Sequence, residues 1–425
     1  MSSPFAPTLG ILVGGGPAPG INGVIHSATI TAINNGMQVM GIYDGFKSLM
    51  AGKITMTPLT INDVSRIHTQ GGSILRTSRA NPTKSEDDLR RCVNSLLEAG
   101  ITALVGIGGD DTAYSVRRVT EQAQKMGLDI RSVHVPKTID NDLPLPEGIP
   151  TFGFETAREL GTRLVMNMME DARTNPGWFI VVSMGRQAGH LALGIGKSAG
   201  ATLTVIAEEW RGQPIRLQHV VDVIVTAIIR RLAEGRGYGV AIVAEGIVEQ
   251  LHRDDLKDLD GAEIDEHGHI RLAEINFSDI LKKKVAETLN SVGVKMRLVD
   301  KELGYELRCA DPVAYDIDYT ISLGQGAVEY LLSGGSGATI TIQNNQIVPV
   351  PYDEFVDPDT GRTRVRMVNV DSFTYQSAHK FMIRLKPEHA PNHIFLARLA
   401  AQTRLSTEAF IERFGYLIGL VPRPY

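Results

Sequence analysis

The 425-residue sequence predicts an α/β protein made of two Rossmann-like lobes, each with a mostly parallel sheet flanked by helices. Three observations carry this. Short apolar runs alternate with helical patterns, four of those runs end in turns containing glycine, and the length exceeds what one hydrophobic core usually serves. The composition agrees: 43% hydrophobic residues, 43 glycines and a net charge of -5 suit a chain rich in strand-to-helix turns.

Leu9 to Val13 reads as the first buried strand, Gly14 to Gly20 (Gly-Gly-Gly-Pro-Ala-Pro-Gly) as the loop that ends it, and Asn22 to Asn34 as a helix. The unit recurs. Ala103 to Ile107 is the next strand, Gly108-Gly109-Asp110-Asp111-Thr112 its turn, and Ala113 to Met126 the helix. Phe179 to Ser183 leads through Met184-Gly185-Arg186 to a helix over His190 to Ala199, and Val240 to Ala244 runs into Glu245-Gly246. Such alternation implies parallel strands whose ligands gather at their carboxyl ends, with the active site expected in the cleft between the lobes.

The Pro-rich stretch Asp142 to Pro150 marks the main boundary, and a helix from Glu155 to about Asp171 follows it. The expected organisation is a first lobe over 1–145 that holds the phosphate loops, a second over 146–333, and an extension over 334–425 packing on both. Arg253 to His269 reads as a solvated surface excursion. Gly334 to Thr363 reads as peripheral hairpins or loops turning at Asn344-Asn345 and Asp359-Thr360-Gly361. No repeat with a period of about 20 to 50 residues is visible.

Nothing in the total charge points to nucleic acid. No stretch of about 18 apolar residues occurs, and Met1 to Thr8 lacks a basic start and an apolar core, so the expectation is a cytoplasmic protein without membrane insertion. Cys92 and Cys309 are far apart and outside any metal-like spacing, which fits reduced thiols.

Four segments carry chemistry, each with a plainer reading beside it. Gly14 to Gly20 is either a tight turn that lets a helix pack on a strand, or a phosphate cradle in which backbone N–H groups and a helix N-terminus face an anion. It matches neither GxxxxGK[ST] nor a clean GxGxxG followed by an acid. Gly108 to Asp111 is either an Asp/Gly turn or a magnesium site. Mg²⁺ favours one or two carboxylates plus phosphate oxygens, so Asp110 is the metal candidate, and Asp111 beside it adds negative charge that disfavours ATP. Pro136-Lys137-Thr138-Ile139-Asp140-Asn141-Asp142 packs a lysine, a hydroxyl and two carboxylates together, with Thr138, Asp140 and Asp142 alternating on one side of an extended stretch. A lysine that neutralises phosphate next to an aspartate that can take an alcohol proton is the equipment of phosphoryl transfer. Arg186, at a strand end, is placed as an anion ligand. Arg76 and Arg79 follow Gly71-Gly72 and could be surface residues, whereas His26, His68, His134 and His190 read as structural.

With these segments in their order, Gly14 to Asn22, Gly71 to Arg79, Gly108 to Thr112, Pro136 to Asp142, Met184 to Arg186 and Glu245-Gly246, the chain resembles the phosphofructokinases from about Leu9 to Arg308. The resemblance implies that Asp140 is the base toward the sugar 1-hydroxyl. It implies that Thr138, Asp142, Met184, Gly185, Arg186 and Glu245 line a fructose 6-phosphate site, and that Gly15, Arg79 and Asp110 serve the phosphoryl donor and Mg²⁺. The first lobe then holds the donor and the second the sugar phosphate. Tyr305 and Arg308 stand where longer pyrophosphate enzymes have a Tyr-x-x-Arg that reaches the sugar phosphate. Gly177 stands where several ATP-dependent relatives supply an intersubunit arginine. A homo-oligomer, dimer or tetramer, and a place in glycolysis are also implied.

Within the family the resemblance favours the pyrophosphate-dependent branch. ATP-using relatives typically have glycine where this chain has Asp111 and Lys137. An Asp111 carboxylate about 4 Å from a nucleotide α-phosphate would repel it by roughly 4 kcal/mol at an effective dielectric constant of about 20, or about a thousandfold in affinity. Pyrophosphate has nothing to place there, and Lys137 can stabilise charge growing on the leaving phosphate. The remaining alternatives are an ATP-dependent phosphofructokinase, sedoheptulose 7-phosphate as acceptor, an NAD or lipid kinase sharing the Gly-Gly-Asp turn, and a non-catalytic subunit. The last should have lost Asp140 or Lys137, and both are present.

Overall fold

The structure, a computed structural model, describes residues 7–256, 276–357 and 363–423. Most of the charged tract expected as a surface excursion, from 257 on, and the turn expected at Asp359-Thr360-Gly361 lie outside the described residues. The chain divides into two compact units, Met1–Ala157 with Tyr305–Arg366, and Arg158–Gly304 with Met367–Tyr425. The division falls a few residues beyond the Pro-rich stretch, and 334–425 is shared between the two units.

In the first unit β1 (Thr8–Val13), β2 (Gln38–Ile42), β3 (Met56–Pro58), β4 (Ile101–Gly108) and β5 (Arg131–Pro136) lie in the order β5-β4-β1-β2-β3, parallel except for β3. Because strand side chains alternate, β1 feeds two cores. Leu9, Ile11 and Val13 pack with Val24, Ile25 and Ala28 of α1 (Ile21–Asn34). Leu12 points the other way, against Leu89, Val93 and Leu96 of α2 (Glu86–Glu98) and Val116 and Val119 of α3 (Asp110–Lys125). Burial on both faces, worth about 1.5 to 3 kcal/mol for each such side chain, fixes the register. In that register Val13 sits opposite Ile107, and Gly108 opposite Pro136. The three strands therefore end flush, and the residues after each emerge along one edge.

α4 (Phe154–Thr174) carries the chain into the second unit. There β6 (Trp178–Ser183), β7 (Leu203–Val205), β8 (Gly239–Ala244) and β9 (Leu298–Leu303) form an all-parallel sheet, β7-β8-β6-β9, with α5 (His190–Ala199), α6 (Leu217–Ala233) and α7 (Phe277–Ser291) as its helices. Ser183 faces both Ala244 and Leu303, so these ends are level too. The chain then returns to the first unit through α8 (Ala314–Leu332), whose Leu323 and Val328 join the β1 core, and the antiparallel hairpin β10 (Ala338–Gln343) and β11 (Gln346–Pro351). The hairpin turns at Asn344-Asn345, both with positive φ, as the sequence led us to expect. It is not peripheral, however: β10 pairs in parallel with β5 and extends the first sheet to seven strands. In the second unit α9 (Phe373–Phe381), α10 (His393–Ala400) and α11 (Thr407–Phe414) complete the described chain.

Two local expectations change. Asp110 and Asp111 are not in a turn but open α3, where a helix N-terminus favours carboxylates. The extended stretch after β5 is also broken, because Asn141 adopts a left-handed φ of 57°. Thr138, Asp140 and Asp142 thus do not share one face of a strand.

Candidate active site

The flush strand ends of the first unit are tied together by main-chain bonds. Gly14 N–H donates to the Ile107 carbonyl and Gly15 N–H to that of Ser78, each at 2.9 Å, while Thr77 Oγ1 donates to Gly15 at 2.7 Å. Thr112 of α3 is wedged against two strand ends: a Cβ on Gly14 or Gly108 would lie 2.3 or 2.2 Å from its Oγ1. Only glycine fits at either place. Arg79, which follows this stitched segment, is exposed.

Lys137 is buried at the end of β5. Its N–H donates to Gly108 at 2.8 Å, and its Nζ donates to the Gly16 carbonyl. Burial lowers its pKa to about 8, against the pull of Asp140 upward and with Arg308 adding to the fall. Gly15, at a φ of 79°, exposes bare backbone to this ammonium, since a Cβ there would stand 3.4 Å from Nζ. The Arg308 guanidinium reaches the same loop, 3.3 Å from where a Cβ of Gly16 would be, and stacks over the Tyr305 ring at 4.9 Å. Two cations thus converge on the glycine loop. His134 supports the arrangement from below: its Nε2–H donates to the Gly108 carbonyl at 2.7 Å and its Nδ1 pairs with Thr339 Oγ1, and burial lowers its pKa to about 4. It is neutral and structural.

The segment after Lys137 is a folded loop. Asp140 is buried, and its N–H donates to Thr138 Oγ1 at 3.0 Å, while Thr151 Oγ1 donates to the Thr138 carbonyl at 2.8 Å. Asn141 Oδ1 accepts from Thr151 N–H at 3.0 Å and from the guanidinium of Arg366. No sequence signal singled out Arg366. Asp110 and Asp142 also act electrostatically on Lys137, so the first unit gathers Gly15, Asp110, Lys137, Asp140, Asp142 and Arg308 along one edge, where two cations stand among three carboxylates. Asp111 stands beside Asp110 on the first turn of α3.

In the second unit, Glu245 Oε1 accepts from both Gly185 N–H (2.8 Å) and Arg186 N–H (2.7 Å). The clamp holds Arg186 at a left-handed φ of 50°, and Gly246 allows the turn to close, since a Cβ there would sit 2.3 Å from the Arg186 carbonyl. Met184 is tied to the end of β9 through Leu303. Met184, Gly185, Arg186 and Glu245 therefore form one cluster, with Glu245 shaping the backbone as well as supplying charge. Arg76, by contrast, pairs with Asp44 at 2.9 Å and covers Tyr43.

Among the described residues no group of three or more His, Cys, Asp or Glu side chains is disposed to hold a metal ion. A lone carboxylate such as Asp110 fits Mg²⁺ only in company with phosphate oxygens. Nor, among them, is any helix long and apolar enough to cross a membrane.

The chain is 50% identical to a pyrophosphate--fructose 6-phosphate 1-phosphotransferase of Naegleria fowleri, over 97% of this chain and 96% of that protein. It is 51% identical to one of Thermotoga maritima, over 98% and 100%. Among solved structures, a pyrophosphate-dependent phosphofructokinase from Marinobacter aquaeolei superposes with a TM-score of 0.67 at 17% identity, over 88% of this chain and 90% of that one. Phosphofructokinase from Saccharomyces cerevisiae gives 0.64 at 20% identity, over 97% of this chain and 50% of that one. These two speak for the fold alone. The sequence pattern of the phosphofructokinase family matches residues 8–331, and the chain belongs to that family.

Proposed function

We propose that the chain transfers a phosphoryl group reversibly from pyrophosphate to the 1-hydroxyl of fructose 6-phosphate, giving fructose 1,6-bisphosphate and phosphate. The observation that carries this reading is the buried Lys137 ammonium, held against the Gly15-Gly16 backbone and beside Asp140. Near-full-length relatives at half identity, named for this reaction, support it.

In this mechanism Asp140 takes the proton of the sugar hydroxyl as that oxygen attacks, while Lys137 neutralises charge growing on the departing phosphate. Gly15 offers backbone to the donor, and Arg79 and Asp111 border it. Bound Mg²⁺, held by Asp110 and phosphate oxygens, would supply further charge neutralisation. Thr138 and Asp142 orient the acceptor. In the second unit Met184, Gly185, Arg186 and Glu245 hold fructose 6-phosphate, Arg186 also stabilising the transferring charge; Tyr305 and Arg308, which the resemblance assigns to the sugar phosphate, belong to the first unit, where Arg308 reaches the glycine loop. The first unit is then the donor unit and the second the sugar-phosphate unit. A cytoplasmic homo-oligomer, dimer or tetramer, active in glycolysis completes the reading.

The test is a matched assay with pyrophosphate and with ATP at equal Mg²⁺, on the native protein and on Asp140→Asn. Pyrophosphate should support turnover well above ATP, and Asp140→Asn should lose at least about a hundredfold in kcat. ATP turnover equal to or above that with pyrophosphate overturns the donor, and a near-normal, folded Asp140→Asn overturns the base.

A further inference from the structure

The loop bearing Asp140 and Asp142 is held by an arginine from a distant part of the chain. Arg366 lies beyond the 8–331 span of the family pattern. Its Nε and Nη2 donate to the Asn141 carbonyl at 3.1 and 3.0 Å, and Nη2 also donates to Asn141 Oδ1. Its Nη1 donates to the carbonyls of Ile149 at 2.7 Å and Leu145 at 3.4 Å, and its main-chain N–H donates to that of Asp142 at 2.7 Å. One guanidinium therefore bonds both ends of the loop, and its most concentrated contacts fall on the residue between the two aspartates. Asn141 holds a left-handed φ of 57°, which asparagine tolerates better than most residues, and these bonds fix it in that one conformation. The foot of the loop has its own anchor, Leu143 and Leu145 packed on Phe355. Loss of the guanidinium should loosen the tip and leave the fold in place.

We infer that Arg366 is a positioning residue: it fixes the Asn141 turn and so aims the Asp140 carboxylate at the acceptor hydroxyl. The inference rests on the reading of Asp140 as the base. A planar fork is required, because a lysine ammonium cannot span carbonyls on both sides of the loop. Lys137 and the glycine loop, which hold the donor, do not depend on it.

The experiment measures kcat and the KM for pyrophosphate in Arg366→Met and Arg366→Lys, with thermal unfolding of each, and adds millimolar guanidinium ion to an Arg366→Ala variant. A displacement of the base by about 1 Å should lower kcat roughly a hundredfold in Arg366→Met while the KM for pyrophosphate stays within about threefold. Arg366→Lys should recover only a minor part, and guanidinium ion should raise the turnover of Arg366→Ala but not of Asp140→Asn. Native kcat in folded Arg366→Met or Arg366→Lys, or an activity loss that follows unfolding and resists guanidinium ion, overturns the inference. The two readings separate cleanly. An active Asp140→Asn removes the base, whereas an inactive Asp140→Asn beside fully active Arg366 variants removes only the positioning role.

Discussion

Replacing Lys137 by methionine should leave the protein catalytically inert and, at neutral pH, more stable. Burial, the leading cause, draws the Lys137 pKa from 10.5 to about 8 even though Asp140 opposes the change. At about 1.4 kcal/mol per pH unit, keeping this ammonium charged in the folded state costs about 3 kcal/mol relative to the unfolded chain. Methionine carries no charge to desolvate but gives up the charge-assisted hydrogen bond to Gly16, worth about 2 kcal/mol, so the net gain is about 1 kcal/mol. In a unit of this size that corresponds to roughly 2 to 4 °C in the unfolding midpoint. The effect weakens with pH in a defined way. Below about pH 8 both states hold the proton and the full penalty applies. Between about 8 and 10.5 the unfolded chain keeps a proton that the folded chain has released, so the native protein gains stability as pH rises and the advantage of the variant shrinks. Scanning calorimetry of both proteins at pH 7 and pH 10 reads this directly. A variant less stable than the native protein at pH 7, or a difference that does not narrow by pH 10, would refute the reasoning.

Two further outcomes are expected. Asp111→Gly should tighten ATP binding by at least about tenfold in titration calorimetry, because a carboxylate facing nucleotide phosphate is removed; unchanged affinity discards the repulsion argument. In the second unit, Asp222 is fully buried and accepts from Arg413 at 2.6 and 2.9 Å and from Tyr416 at 2.8 Å, which fastens α11 and the turn after it to α6. Arg413→Ala should therefore cost about 3 kcal/mol in urea unfolding, while breaking the exposed Arg163 and Glu159 pair by Arg163→Ala should cost less than about 0.5 kcal/mol; equal effects would contradict this.

The strand ends were readable because burial on both sheet faces leaves continuous apolar runs, and close approach by Thr112 demands glycine where β1 and β4 stop. Lys137 was readable as well, from its place after an apolar run. What escaped depends on partners far along the chain. Arg366 bonds main-chain carbonyls 217 to 225 residues away, and a carbonyl has no residue identity to betray it. The bend at Asn141 escaped because nothing local forces it; Thr151 and Arg366 impose it. The Ala338 to Ile342 alternation announces a strand, but its partner β5 is chosen by tertiary packing. Asp110 and Asp111 suit a turn and a helix start equally well in sequence, and the packing of α3 decides.

Neither unit is continuous along the chain. The pairing of β10 with β5 joins Thr339 to His134, and the second unit waits for segments beyond Met367. During synthesis from the ribosome, the edge of β5 must therefore stay uncovered while some two hundred residues are added, and an unpaired, apolar parallel edge is a template for wrong association. The first unit can finish only after most of the second has been made, so the order of maturation is set by topology rather than by chain position.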